Sequence, residues 1–369
     1  MSSPTEQRLM TDDERAVIHY ANHMESRHLI DAFLHHPPQG FTARISAHGV
    51  PLFSAPFDLL TTADEALRKK LRSWPGFRWW SRFLTIDTCF AGTTVSEYAP
   101  FPTHVRPDEM SHLLRKCAPE KKLVIVKDLP QNSPLLSAGD NNYSQALYNA
   151  CIRQGFIGVE GQALAYVPLN FDDTDEYLSR LSRSRRRDIR RKLRSRDALR
   201  VEILTTGDAR FSDEAWRKEL YRLYLAVYAQ SEIHFDLLTA DFFSTLLTDA
   251  GSGGRMFLYW HGETLVGYNL CYQQHDKLID KYIGLNYPLA LEHHLYFVSW
   301  FVNLEYALEN GLRFYVAGWT DPEVKASLGA SFTLTRHLVW VRNPLLRRIL
   351  NRFRHHFESD AHWHQEQTL

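Results

Sequence analysis

The chain has few cysteines and lacks the runs and signatures that would place it in a specialised class. Its four cysteines, Cys89, Cys117, Cys151 and Cys271, are far apart with no CxxC pair. That excludes a disulfide scaffold and a cysteine zinc site and fits a reducing compartment. No apolar run reaches membrane-spanning length, and the N-terminus MSSPTEQRLMTDDER is too polar for a secretory signal. These absences predict a soluble, cytoplasmic protein with no transmembrane segment. Net charge of one sign is lacking too: Lys plus Arg and Asp plus Glu are both 43, so global charge names no partner. GxSxG, GxxxxGK[ST] and GxGxxG are missing, which removes sequence support for hydrolase, P-loop and Rossmann readings. Histidines occur in pairs, His293-His294 and His355-His356, with His362 and His364 in the tail. Adjacent histidines point to different helix faces and no HExxH is present, so no metal site is expected.

The 369 residues are 44% apolar and 23% charged, enough for a sizeable core. At roughly one to two hundred residues per domain the length suggests two domains, or one fold built twice. Charge is balanced globally but not locally. From Arg183 to Arg196, RSRRRDIRRKLRSR holds nine Arg or Lys against the single Asp188. Upstream, Asp172, Asp173 or Thr174 offers an N-cap with acids in the first turn. Leu178, Leu181, Ile189 and Leu193 share a helical face, so the pattern predicts one helix over 174–197. Before it, FTARISAHGVPLFSA reads as a hairpin turning at His48-Gly49, and KKLVIVKDL as a strand. After it, GGRMFLYWHGETLVGYNLCYQQHDKLIDKYIGL reads as three antiparallel strands. Their turns fall at His261-Gly262-Glu263 and His275-Asp276-Lys277. TADFFSTLLTDA is a helix capped by Thr239, and HHLYFVSWFVNLEYALENG is an apolar helix ending on Asn310-Gly311. LRFYVAG and FTLTRHLVWV are the last strands, and NPLLRRILNRFRHHF is a basic helix. Helix, glycine, strand occurs twice, over 146–159 and 303–316, as a duplicated fold would leave it.

Nine cations against one acid repel one another along a helix unless something anionic offsets them. Arg outnumbers Lys eight to one in this run, and arginine suits bidentate phosphate contacts. A membrane helix is disfavoured, because the apolar stripe is narrow and has no Trp or Phe. Gly267 interrupts a strand in GETLVGYNLCY, either as an incidental glycine or as a bulge or close backbone approach. In GWTDPEVKASLGASF, Gly318 follows a strand and Lys325 stands on a short helical turn ended by Gly329. A cation there is either a surface lysine or a group holding a phosphate or a developing oxyanion.

In order, YLSRLSRSRRRDIRRKLR, AWRKELYRLY, LLTADFFSTLL, MFLYWHGETLVGYNLCY, LIDKYIGL, LEYALENGL and FYVAGWTDPEVKASLGASFTLTRHLVW resemble the GNAT-like peptidoglycan biosynthesis/recognition family. That family is related to the Fem aminoacyltransferases and to GNAT N-acyltransferases. The resemblance covers about residues 160–345. It implies an α/β (α+β) chain of two tandem GNAT-like domains with mixed, largely antiparallel sheets flanked by helices. They would span 1–165 and 166–350, the second opening with the basic helix 174–197, and 351–369 would be the end of a basic helix and a loose tail. The activity implied is transfer of an aminoacyl or acyl group from aminoacyl-tRNA or acyl-CoA to an amine of a small-molecule or peptidoglycan-type acceptor. No permanently bound cofactor is implied, and tRNA is a possible partner. The family's lysine corresponds to Lys325, and its basic-aromatic strand pair to Lys281-Tyr282. Its His-aromatic-Glu triplet is only partly present as His294-Leu295-Tyr296, without the glutamate. Lys325, Tyr282 and His294 are thus the catalytic candidates. Arg185, Arg186, Arg190, Lys281 and Trp319 are the candidates for holding donor or acceptor. The loop GLNYPLALEHH lacks the glycines that hold the pyrophosphate of CoA, which tilts the donor toward aminoacyl-tRNA. A GNAT scaffold that binds an anionic ligand without chemistry is the alternative.

Overall fold

The structure is a computed structural model and describes residues 18–60, 69, 72–231 and 234–352. The polar N-terminus 1–17 and the tail 353–369 with its histidines lie outside the described residues. The chain forms two compact units. The first comprises residues 1–24, 33–163 and 333–369, and the second 25–32 and 164–332.

In the first unit, β1 (Tyr20–Ala21) pairs with β5 (Phe101–Pro102). The helix α1 (Arg27–His35) follows β1, and its residues 27–32 belong to the second unit. The hairpin expected at His48-Gly49 is β2 (Thr42–Ile45) with β3 (Pro51–Asp58), and Gly49 has φ 83°. The short helix α2 (Phe77–Trp80) leads into β4 (Thr85–Ala91), antiparallel to β3. The helix α3 (Pro107–Lys116) then crosses over to β6 (Leu123–Pro130), which runs parallel to β4. The helix α4 (Ala138–Arg153) begins where Ser137 accepts from the Asp140 amide at 3.1 Å. It is followed by Gly155 (φ 85°) and β7 (Ile157–Pro168), whose first residues, 157–163, belong to this unit. The last strand, β13 (Ser331–Val341), pairs antiparallel with β6 and is followed by α12 (Pro344–Arg352).

The second unit repeats this plan. The antiparallel run β8 (Arg200–Thr205), β9 (Gly254–His261), β10 (Thr264–Gln274) and β11 (Lys277–Leu285) has its turns at the two sites expected from sequence. The helices α9 (Leu289–Glu292) and α10 (Leu295–Glu309) cross over to β12 (Phe314–Gly318), parallel to β11. β12 pairs antiparallel with residues 165–168 of β7. Within each unit the strand pairing is therefore mixed and largely antiparallel, with one parallel pair, and helices flank it. The internal repeat is offset from the one that sequence suggests. The counterpart of α10–Gly311–β12 in the first unit is the crossover α3–β6, not α4–Gly155–β7.

The helix expected over 174–197 is broken. α5 (Thr174–Ser179) starts at Asp173, whose carboxylate accepts from the Glu176 amide at 2.7 Å. At Ser182 the backbone turns extended (φ −58°, ψ 152°), and its hydroxyl caps α6 (Arg183–Leu193). A serine that satisfies a free amide favours a restart over continuation. α7 (Glu214–Gln230) and α8 (Ala240–Thr248) complete the layer, with Thr239 capping α8 as expected. The core around α10 buries Leu295, Val298, Phe301 and Leu304 against Phe257, Cys271, Leu278 and Tyr315 of the sheet.

Candidate active site

The strand β11 reads KLIDKYIGL, and Asp280 lies within this apolar run. Its carboxylate accepts from Asn269 Nδ2 at 3.2 and 3.3 Å on β10, from Asn303 Nδ2 at 3.2 Å on α10, and from the Tyr315 hydroxyl at 2.9 Å on β12. Burial raises the Asp280 carboxyl above its ordinary value, while the bonds from Tyr315 and Asn269 and the charge of Lys325 pull it back down. Burial also drives the Tyr315 hydroxyl and the Cys271 thiol well up, and the nearby Asp280 adds to this. Asn269 and Asn303 give their N–H donors to the carboxylate, and their buried Oδ1 atoms have no hydrogen-bond partner. Two buried acceptors beside the carboxylate are thus left without a donor.

Lys325 lies on α11 (Pro322–Leu328) and is only 4% exposed. Near its ammonium, β12 ends at Gly318, whose positive φ of 80° favours glycine. A Cβ there would lie 3.8 Å from Nζ of Lys325 and 3.7 Å from the Asp280 carbonyl. A buried lysine is costly unless its charge is answered, and Asp280 answers it. Trp319 follows Gly318 and is half-buried. In the first turn of α10, the Tyr296 hydroxyl is pushed up by burial, then by the charges of Asp321 and Asp280.

The other candidates are dispersed. β10 and β11 slip register so that Leu270 faces Tyr282 and Cys271 faces Asp280, leaving Lys281 bulged out of the ladder. Asp280 therefore reaches α10, whereas Tyr282 packs on α8, 5.4 Å from the ring of Phe243 and 6.1 Å from that of Phe242. Lys281 Nζ lies 3.8 Å from the Glu25 carboxylate, and both side chains are buried. His294 caps α10 with a left-handed backbone (φ 48°). Its neighbour His293 is buried with its ring 4.7 Å from that of His261. Gly267 lies at a bulge opposite β9, and a Cβ there would meet the Gly284 carbonyl at 2.6 Å. Its place in the strand thus reflects close backbone packing.

The basic helix borders Lys325. α6 buries Ile189 and packs against α10 and α11. The Tyr177 hydroxyl of α5 donates to the Leu328 carbonyl at 2.6 Å, fixing the helix pair to α11. Arg185 is exposed, Arg186 donates to the Ser179 carbonyl at 3.3 Å, and Arg190 pairs with Asp175 at 2.8 Å. The only acid within the run, Asp188, is shared by Arg191 and Lys192 at 2.7 and 2.9 Å. Asp280, Asn269, Asn303, Tyr315 and Tyr296 were missed by sequence reasoning. Their signal was polar residues inside apolar strands and an apolar helix.

The two-unit α/β fold is shared with solved structures at low sequence identity. The crystal structure of FemX aligns with a TM-score of 0.53 at 11% identity, over 94% of this chain and 100% of that one. L-PGS from Bacillus licheniformis aligns with a TM-score of 0.52 at 10% identity, over 89% and 97%. No curated protein matches the chain in sequence. The family model described as FemAB-like, peptidoglycan biosynthesis/recognition, matches residues 120–368. The chain belongs to the FemAB-like family. Among the described residues, no helix is long and apolar enough to cross a membrane.

Proposed function

We propose that the protein is an N-acyltransferase. It would move an aminoacyl or acyl group from an activated ester or thioester, aminoacyl-tRNA or acyl-CoA, to an amine of a small-molecule or peptidoglycan-type acceptor. The observation that carries this reading is the cluster of Asp280, Asn269, Asn303 and Lys325. Two orphaned amide oxygens beside a carboxylate suit the N–H groups of an entering amine. The raised Asp280 carboxyl suits taking the proton that the amine loses as the new C–N bond forms. It would pass that proton to the leaving group as the ester C–O or thioester C–S bond breaks, releasing the tRNA hydroxyl or the CoA thiol. The Lys325 ammonium suits the negative charge that gathers on the donor carbonyl oxygen, and it needs little rearrangement because packing already holds it. Asp280 takes the proton-accepting role in this proposal because Tyr282 packs among phenylalanines on the α8 side.

The donor carries phosphates in either case. Arg185, Arg186 and Arg190, on a helix packed against α11, are the groups proposed to hold them, with the half-buried Trp319 that follows Gly318 proposed to contact donor or acceptor. So dense a cationic helix favours a polyanionic donor, and aminoacyl-tRNA is preferred. Mass spectrometry of reactions supplied with charged tRNA or an acyl-CoA panel, with and without RNase, tests this. A mass increase on an amine acceptor that RNase abolishes is the expected result. Turnover with acyl-CoA alone would reverse the donor assignment, and no transfer from either donor would refute the activity.

A further inference from the structure

Two segments of the first unit that the proposed chemistry does not use leave the same end of its sheet. β4 and β6 run parallel with Thr88 opposite Leu123, and β13 ends with Val341 opposite the same Leu123. The chain entering β4 and the chain leaving β13 therefore meet at one end. Backbone and side-chain bonds tie them there. The Arg342 amide donates to the Lys122 carbonyl at 3.0 Å and its Nε to the Lys121 carbonyl at 3.1 Å, while the Lys121 ammonium pairs with Asp87 of β4.

The segment entering β4 carries, among its described residues, the cations Lys69, Arg72 and Arg82 and the tryptophans Trp74 and Trp79, with no acid over 72–82. Trp74 is 52% and Trp79 66% exposed, and the Arg82 guanidinium lies 5.0 Å from the Trp79 ring centre. The segment leaving β13 is α12, PLLRRILNR, with three arginines and no acid. Leu345 is 68% and Leu346 49% exposed, and Arg348 and Arg352 are exposed beside them. Four of the seven large apolar side chains exposed on the described surface thus belong to these two segments, which also carry exposed cations.

We propose that this end of the first unit docks on the surface of an anionic lipid bilayer. Tryptophan prefers the headgroup boundary, where its ring is apolar and its N–H stays wet. A basic helix with exposed leucines lies in the same plane. Arginine and lysine beside them face the negative headgroups, each cation strengthening binding about fivefold. A nucleic acid would answer the arginines and could stack on the tryptophans, but it offers no hydrocarbon to Leu345 and Leu346. The basic helix α6 differs on this point, since it lacks an exposed aromatic.

The experiment is co-sedimentation of the full chain with vesicles of phosphatidylcholine alone and of phosphatidylcholine mixed with phosphatidylglycerol, over a salt series. Wild type should partition onto the mixed vesicles and not the neutral ones, and salt should weaken the partition. Arg348→Glu/Arg352→Glu should weaken it by about 25-fold or more, from two cations at about fivefold each. Trp74→Ser/Trp79→Ser/Leu345→Ser/Leu346→Ser should weaken it at least as much without altering the circular dichroism or acyl transfer in solution. No partition onto mixed vesicles at low salt would overturn the proposal. So would equal partition onto neutral vesicles, wild-type binding by both variants, or binding to duplex RNA in place of vesicles. None of these outcomes depends on whether the chain transfers an acyl group.

Discussion

Replacing Lys325 by methionine keeps the length of the side chain and removes its charge. Lys325 is 4% exposed and acts on the Asp280 carboxyl. Stripping one partner from a buried ion pair costs about 3–5 kcal/mol. Asp280 is half-buried and keeps its bonds from Asn269, Asn303 and Tyr315, which places Lys325→Met at the lower end, about 3 kcal/mol near pH 8. The pH dependence follows from the direction of the Asp280 shift. Burial raises the folded pKa above the unfolded value of about 3.9. The folded state then holds this proton more tightly. The stability that the proton contributes is complete below the unfolded pKa and is lost as pH rises through the folded one. Lys325 lowers the folded pKa and limits that loss. Without it, the folded pKa climbs further and the loss grows. Urea unfolding at about pH 5 and about pH 8 should therefore show the larger deficit for Lys325→Met at the higher pH. Adding Asp280→Asn should remove the pH-dependent part, with a coupling of about 1 kcal/mol or more between the two sites near pH 8. Equal deficits at both pH values, together with additive single variants, would show that Lys325 does not answer Asp280.

Three further outcomes are expected. Lys325→Ala should lower kcat and kcat/KM together by about a hundredfold, as for loss of one oxyanion donor; a rise in KM alone would instead assign Lys325 to binding. Arg185→Ala/Arg186→Ala/Arg190→Ala should flatten the salt dependence of donor binding by about 0.7 to 0.9 log units per log salt for each phosphate that is no longer neutralised. An unchanged slope in a filter-binding titration would remove the basic helix from the site. Gly284→Ala should cost about 1–3 kcal/mol through overpacking, because the new Cβ would fall 2.2 Å from Cε1 of the buried Tyr268. Calorimetry showing an unchanged Tm would refute that.

Patterns with a local cause were legible in the sequence. The turns at His261-Gly262-Glu263 and His275-Asp276-Lys277, the Thr239 cap and the Asn310-Gly311 helix end all depend on residues within a few positions of one another. Each lies where it was expected. The break at Ser182 was hidden because the apolar spacing of Leu178, Leu181 and Ile189 suits one helix as well as two, and only a hydroxyl bond decides between them. Lys325 was singled out by its strand-glycine context together with the family resemblance. Asp280 was overlooked because its partners, Asn269, Asn303 and Tyr315, come from three elements, and their convergence depends on sheet register. The bulge at Lys281 is equally invisible along the chain, yet it turns Asp280 and Tyr282 toward different helices.

The return of β13 to the first unit has a consequence for how the chain is made. β13 (331–341) supplies the antiparallel neighbour of β6 (123–130), but it emerges from the ribosome some two hundred residues after it. During that interval β6 must wait with one edge unpaired, an aggregation hazard that grows as translation slows. A stop codon anywhere after β12 and before β13 would leave the second unit with nearly all of its sequence and the first without a strand. Damage at the C-terminus should therefore be felt first by the N-terminal unit. Supplying 331–352 as a separate polypeptide should restore that unit's protease resistance.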